Sequence, residues 1–165
     1  MIAAVTDNEG TVTGVHRTWL DPQSHDKAAV AYPRRAMGHL LGSGVRFGKA
    51  DGVMVAGEGL ETLLSLRQVM PSMAMIAGLS AAHLAAIQFP AALRCLYVAR
   101  DDDPAGATAL STLIERCEPL GMTVIPLEPR LDDFNGDLTA YGHERLAAAI
   151  RAQLSAADAV RFLKV

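Results

Sequence analysis

Between residues 52 and 127 the chain alternates short apolar runs with helix-forming segments, and this alternation restricts the fold more than any other feature. Residues 53–56, 73–77, 94–99 and 122–127 have the length and character of strands buried on both faces, as in a parallel sheet. The intervening segments read as helices. Residues 60–70 are helical in composition and stop at Pro71. Ser80 caps a helix that runs to about Gln88, before Pro90. Pro104 suits the first position of a third helix, in which Ala107, Leu110, Ile114 and Cys117 recur at helical spacing, and Gly121 ends that unit. Residues 132–138 read as an acidic loop or short helix, and 144–154 as a final alanine-rich helix. Strands alternating with helices imply an α/β fold with right-handed crossovers.

Two of the runs end in acidic clusters. Gly57-Glu58-Gly59 follows the first, and Asp101-Asp102-Asp103 follows the third. Open α/β sheets place their chemistry beyond the carboxyl ends of the strands. Carboxylates converging there repel one another unless a cation neutralises them, and hard oxygen ligands favour magnesium. Glycines around Glu58 permit unusual backbone angles and close approach of a ligand. Glu58 and Glu61 also suit the positive N-terminus of the next helix, so a purely structural role competes. On an extended segment Asp101 and Asp103 point the same way and can share a metal, while Asp102 points elsewhere. Asp103-Pro104 also has the form of a helix cap followed by proline. A third group, Asp132-Asp133-Phe134-Asn135-Gly136-Asp137, follows the fourth run; Asp132 and Asp137 read as solvated turn residues.

The first fifty residues differ. Segments 2–5 and 11–20 flank the turn-forming Asp7-Asn8-Glu9-Gly10 and predict a β-hairpin. Residues 21–26 form a polar loop, 34–41 a short helix entered by Pro33, and 45–47 another strand. Trp19 reads as core, with stacking on a base as the alternative. His16 and His39 lack ligand-like spacing and read as structural.

The chain has 165 residues, half of them apolar, which suits one domain with a small appendage. Its net charge of −3 disfavours a strongly basic nucleic-acid clamp without excluding local basic patches. Cys95 and Cys117 form no Cys-x-x-Cys pair, which disfavours a zinc ribbon or disulfide scaffold, and as buried free thiols they suit a reducing cytoplasm. No signal peptide or membrane-length apolar stretch is evident.

Gly57-Glu58-Gly59-Leu60-Glu61-Thr62, then Ala99-Arg100-Asp101-Asp102-Asp103-Pro104-Ala105-Gly106, then Asp132-Asp133-Phe134-Asn135, resembles the Toprim domain. That fold is shared by bacterial-type primases, type IA and type II topoisomerases and certain nucleases. The variant here looks most like primase-like proteins of phages, plasmids and conjugative elements, and the resemblance covers about residues 52–140. It implies a Toprim-like (Rossmann-like) sheet of about four mainly parallel strands flanked by helices. A β-rich basic extension occupies residues 1–50, the core 51–140 and a helical segment 141–165.

By the same resemblance, Glu58 is the acid/base or metal-organising residue. Asp101 and Asp103 bind Mg2+ or Mn2+, with Asp133 as a further acid near the metal. In such primases a basic, partly β subdomain precedes the core and helps bind template and nucleotide; here Arg17, Lys27, Arg34, Arg35 and Arg46 are the expected nucleic-acid or nucleotide contacts. The implied partners are single-stranded DNA, NTPs and a helicase or other replication or transfer protein, with no membrane. The expected activity is metal-dependent nucleotidyl transfer of the primase type. A Toprim nuclease, or a non-catalytic module that binds nucleic acid or a partner, is the alternative. Tyr32, Tyr97 and Tyr141 have no topoisomerase context. A haloacid-dehalogenase-like phosphatase fits less well, because its Asp-x-Asp belongs on the first strand. No zinc-binding module precedes the core and no helicase module follows it, which counts against independent primer synthesis.

Overall fold

A computed structural model describes residues 1–24 and 26–163. Its centre is a five-stranded sheet built from β6 (Val45–Phe47), β7 (Val53–Gly57), β8 (Met75–Ala77), β9 (Cys95–Ala99) and β10 (Thr123–Leu127). The spatial order is β10-β9-β7-β8-β6. β7 to β10 are parallel, and β6 adds an antiparallel edge through the pairs Val45–Ala77 and Phe47–Met75.

Helices cover both faces because the strand residues alternate in direction. Val55, Met75, Tyr97 and Ala99 face α1 (Leu60–Val69), α4 (Phe134–Arg151) and α5 (Ala156–Phe162), with Leu63, Leu66, Phe134, Leu146, Ile150 and Phe162 in one buried cluster. Met54, Ala56, Ile76, Leu96 and Val98 face α2 (Ala81–Ala86) and α3 (Pro104–Cys117), with Leu84, Leu113 and Cys117. Arg116 on α3 ties the two outer helices together by donating to the Ala85 and Ile87 carbonyls. A 3-10 turn, Glu118–Leu120, closes α3, and Gly121 takes the left-handed conformation (φ 68°) that ends it.

The amino-terminal region forms a three-stranded antiparallel sheet, β1-β2-β5, from β1 (Ile2–Thr6), β2 (Val12–Thr18) and β5 (Arg34–Gly38). A two-residue ribbon, β3 (Leu20–Asp21) with β4 (Asp26–Lys27), projects from it. The sheet joins the core through paired backbone bonds between Thr6 and Gly44, and through Val5, which is fully buried in the α1 cluster.

The expected hairpin, the four parallel strands and the helices opened by Leu60, Ser80 and Pro104 are all present. Residues 34–41 are not a helix. Residues 34–38 form β5, because β2 would otherwise expose a second edge, and Pro33 serves as well before a strand as before a helix. Gly38 is required there: its φ is +103°, and a Cβ would lie 2.4 Å from the Thr13 carbonyl oxygen. Trp19 is not core. It sits just past β2 and is 51% exposed. The polar 21–26 segment is the β3–β4 connection, with His25 outside the described residues. Residues 134–151 form two helical segments that meet at Gly142, whose φ of 80° and ψ of 173° are not helical, much as the expected short 132–138 element and final 144–154 helix are separate.

The helical segment expected over 141–165 is broken after Arg151, and beyond the break lies a separate helix, α5. It is held by Tyr97, whose buried hydroxyl donates to Asp158 Oδ2 (2.7 Å) and accepts from the Ser155 amide (3.0 Å) at the α5 N-cap. Tyr97→Phe leaves these groups without their partner, and should lower stability by about 1–3 kcal/mol while keeping the fold. Urea unfolding checks this; an unchanged midpoint would show that α5 is held by apolar packing alone.

Candidate active site

β7 and β9 are adjacent and parallel, but their connections leave in opposite directions: β7 continues through α1 to β8 on one side, β9 through α3 to β10 on the other. The crevice at such a switch point is where open α/β sheets bind ligands. Glu58 is the first residue beyond β7, and Asp101 the second beyond β9. The Asp102 amide donates to the Asp132 carbonyl (3.0 Å), which draws the turn before α4 to the same place and brings in Asp133.

The resulting cleft, about 370 Å³ in volume, is lined by Glu58, Glu61, Asp101, Asp133 and Asn135 on the core side and by His16, Lys27 and Arg34 on the amino-terminal side. Gly57 and Gly106 allow the close packing behind it. A Cβ on Gly57 would lie 3.1 Å from the Ala99 carbonyl oxygen, and one on Gly106 would lie 2.6 Å from that of Asp101. Neither Gly57 nor Gly59 occupies the left-handed region, so the Gly-Glu-Gly signal reflects packing rather than an unusual turn. The one non-glycine residue in that region is Leu79 (φ 74°), among the described residues. Its amide donates to the Glu58 carbonyl (2.9 Å), so a strained backbone position pins the loop that carries Glu58.

The carboxylates divide into distinct roles. Asp101 Oδ1 is buried and has no hydrogen-bond partner among the described residues. Burial first, then the charges of Glu58, Asp133 and Asp103, push the Asp101 carboxyl up to about 6, with Arg34 opposing. Glu58 is also raised, by burial and then by Asp103, against the Ala81 amide and Arg34. Asp103 caps α3 by accepting from the Gly106 amide (2.7 Å), and Asp133 caps α4 by accepting from the Gly136 amide (2.6 Å). Each of these two therefore commits one oxygen to a helix end. The 101–103 segment is a bend rather than a strand, so simple alternation does not govern it; Asp102 nevertheless points away, paired with Arg100 at 3.3 Å. Among the described residues, no three His, Cys, Asp or Glu side chains form a ready-made metal cage. The unpartnered Asp101 oxygen, surrounded by like charge, nonetheless suits a hard divalent cation.

Asp137 is not a solvated turn residue. It is buried, and its carboxylate accepts from the Arg130 and Leu131 amides (2.8 and 2.9 Å), folding the 128–133 loop against α4. The five expected cationic contacts separate. Lys27 and Arg34 enter the cleft, each 3.6 Å from Glu61. Arg46 donates to the Thr6 and Gln88 carbonyls and to Asn8 Oδ1, so it acts as a strap between segments, and burial lowers its pKa. Arg17 and Arg35 lie elsewhere, stacked on aromatic rings.

Two cleft residues were missed by sequence reasoning. Glu61 was read as a helix-terminus charge, yet it holds the two cations in place. His16 was read as structural, yet it is 7% exposed, lines the cleft and has an Nδ1 with no partner among the described residues. Burial lowers its pKa. Nothing in the local spacing identifies His16; only the β2–β5 pairing turns it inward.

The raised pKa of Asp101 has a consequence of defined sign. Its carboxyl titrates near 3.8 ordinarily and near 6 in the fold, so the folded state binds more protons between these values and stability falls as pH rises through that window. Asp101→Asn removes the penalty. In metal-free protein it should raise Tm above pH 6, with the difference vanishing near pH 4. A variant less stable than wild type at about pH 7.5 in EDTA, above the whole titration window, would contradict this electrostatic picture.

The Toprim domain family matches residues 53–144, and a domain of unknown function, DUF7146, matches residues 1–47. No curated protein matches significantly. Among solved structures, the chain is similar to the zinc-binding and RNA polymerase domains of the Aquifex aeolicus primase (18% identity, TM-score 0.59, covering 93% of this chain and 40% of that one). It is similar to the primase fragment of the bacteriophage T7 primase-helicase protein (15%, 0.60, 93% and 61%). It is also similar to a DNA primase domain from Pseudomonas aeruginosa (18%, 0.61, 92% and 50%). The chain thus spans about 40% to 61% of the length of these three chains. Among the described residues, no helix is long and apolar enough to cross a membrane. With its match over residues 53–144 and the primase fold of its structural neighbours, the chain belongs to the Toprim domain family.

Proposed function

We propose that the protein is a primase-type nucleotidyltransferase that joins nucleotides on a single-stranded DNA template. The observation that carries this reading is the partnerless Asp101 oxygen at the strand switch point, faced across the cleft by Lys27 and Arg34. Asp101 and Asp103 would hold Mg2+ or Mn2+, with Asp133 as a further acid beside it. Bound metal supplies charge neutralisation on the reacting phosphate and in-line alignment of nucleophile and leaving group.

The remaining work falls to this chain's side chains. Lys27 and Arg34, oriented by Glu61, attract the nucleotide's phosphates. Glu58, its carboxyl raised by burial and by Asp103, takes the proton of the primer 3′ hydroxyl. The surrounding backbone keeps that carboxylate fixed, since Gly78 and Leu79 donate to the Gly57 and Glu58 carbonyls. The same groups acting on water would make a nuclease, and metal binding without turnover would mark a non-catalytic module. A helicase or other replication protein fits as a partner, because the neighbouring bacteriophage T7 protein is a primase-helicase.

Primer synthesis and nuclease assays on single-stranded DNA, with magnesium and manganese titrated in turn, distinguish these activities. Glu58→Gln, and Asp101→Asn with Asp103→Asn, should abolish turnover with a wild-type circular dichroism spectrum. Wild-type turnover in either variant would sink the assignment. Lys27→Ala with Arg34→Ala should raise KM for NTP by about tenfold or more for each cation removed, through weaker phosphate binding; an unchanged KM would remove these cations from the site.

A further inference from the structure

A helix leaves its first amides without intrahelical partners, and a side chain at the N-cap usually supplies one. Ser80 does so for α2, Asp103 for α3, Asp133 for α4 and Ser155 for α5. α1 begins instead from Gly59, which has no side chain to give. The first helical bond there runs from the Leu63 amide to the Gly59 carbonyl, so the Leu60, Glu61 and Thr62 amides stay outside the helical ladder. These residues and Gly59 all line the cleft. Alternation along β2 and β5 turns His16 and Arg34 toward the same space, and Arg17 and Arg35 to an outer groove. His16 is 7% exposed, and its Nδ1 has no partner among the described residues. A buried imidazole nitrogen without a partner costs free energy that a ligand oxygen would recover. Glu61 neutralises the two cations of the cleft: Oε1 lies 3.6 Å from Lys27 Nζ, and Oε2 lies 3.6 Å from an Arg34 nitrogen. Tight charged hydrogen bonds are about 2.7–2.9 Å long, so this carboxylate holds the cations loosely.

We propose that the uncapped amino end of α1 is a phosphate cradle, in which the Leu60, Glu61 and Thr62 amides, the His16 ring and the two cations hold the di- or triphosphate tail of a nucleotide in place of the Glu61 carboxylate. Free amides at the positive end of a helix dipole favour an anion. The buried, unpaired His16 is the independent sign of a ligand in the same space. A carboxylate brings two oxygens and a single charge. A terminal phosphate brings three oxygens and close to two charges, enough to engage the amides and both cations together. A strand's phosphodiester, with one charge, gains less. Glu61 is thus a built-in competitor: it keeps Lys27 and Arg34 paired until a more highly charged tail displaces it. The inference rests on the phosphoryl-transfer reading of the cleft for its ligand, and gives a role to backbone amides and a histidine that have none in the transfer step.

The test is amide NMR of the isotope-labelled protein in EDTA, titrated with sodium pyrophosphate, which is the nucleotide tail without base, sugar or metal. The Leu60, Glu61 and Thr62 amide resonances should shift saturably, together with those of the His16 ring. Glu61→Gln should tighten binding by about tenfold, because the competing charge is gone. Gly59→Asp gives α1 the kind of cap that Asp103 and Asp133 give α3 and α4. Gly59 has φ −83° and ψ 139°, an extended conformation open to any residue, so Tm should hold or rise in this variant. Its pyrophosphate binding should nonetheless weaken by about tenfold or more, since the amides are taken and a like charge is added. Gly59→Ala leaves the amides free and should bind as wild type does. His16→Phe keeps the ring's bulk, loses its nitrogens and should weaken binding about fivefold. Unmoved α1 amides in the wild-type protein would overturn the cradle whatever the stability of the variants. Unchanged affinity in Gly59→Asp or His16→Phe, or weaker binding in Glu61→Gln, would overturn it too. So would displacement of pyrophosphate by an oligothymidylate with hydroxyl ends at equal phosphate concentration, which would give these amides to a strand's diesters. Turnover in Glu58→Gln would overturn the catalytic reading alone, since pyrophosphate binding in EDTA needs no turnover.

Discussion

β7 and β9 lie side by side at the centre of the sheet, and the chain leaves them in opposite directions. That arrangement opens the crevice into which Glu58 and Asp101 project, and the rest of the site depends on it. Two acidic residues 43 positions apart in the chain meet because Gly57 pairs with Ala99 across the two strands. The lack of a side chain on Gly57 lets them meet so closely. The cost is electrostatic. Burial raises both carboxyls, helped by Asp103 at Glu58 and by Glu58, Asp133 and Asp103 at Asp101, and among the described residues one Asp101 oxygen has no partner. Such a feature costs stability, because the charged form of each buried carboxyl is disfavoured.

The neighbouring acids reduce that cost in a different way. Asp103 and Asp133 sit at helix N-termini, where each satisfies an otherwise unpaired amide. A cap fixes each carboxylate's position, and Asp133 also lines the cleft. Asp137 carries the same logic to its end, with both oxygens spent on backbone amides and none left for the cleft. The amino-terminal sheet completes the cleft from the opposite side. Its inner face supplies His16 and Arg34, and Lys27 comes from the adjoining ribbon. Glu61 binds these cations to the core.

The parallel core was legible because its signals are local. Apolar runs, Ser80, Pro104 and Gly121 each act within a few residues, and the structure uses each where expected. The amino-terminal sheet was less so. Residues 34–38 carry no strong period, and Pro33 opens a helix or a strand equally well; the need of β2 for a partner decides between them. α5 carries a local start signal, Ser155 accepting from the Asp158 amide, but its tertiary anchor is Tyr97, 58 residues earlier than Ser155, which no local pattern announces. Trp19 is a large apolar residue whose usual place is the core; its position beyond the end of β2 leaves it on the surface.

From the sequence alone came the α/β class, the order of the acidic motifs and the Toprim resemblance, because each depends on short-range composition and on spacing along the chain. Which acids face an open cleft, which are spent as caps, and how five similar cations divide between a cleft, a strap and an outer groove depend on strand pairing and sheet order. Those are long-range contacts, and a one-residue change in strand direction exchanges one face for the other. His16 and Arg17 are neighbours in the chain, yet they serve opposite sides of the same sheet.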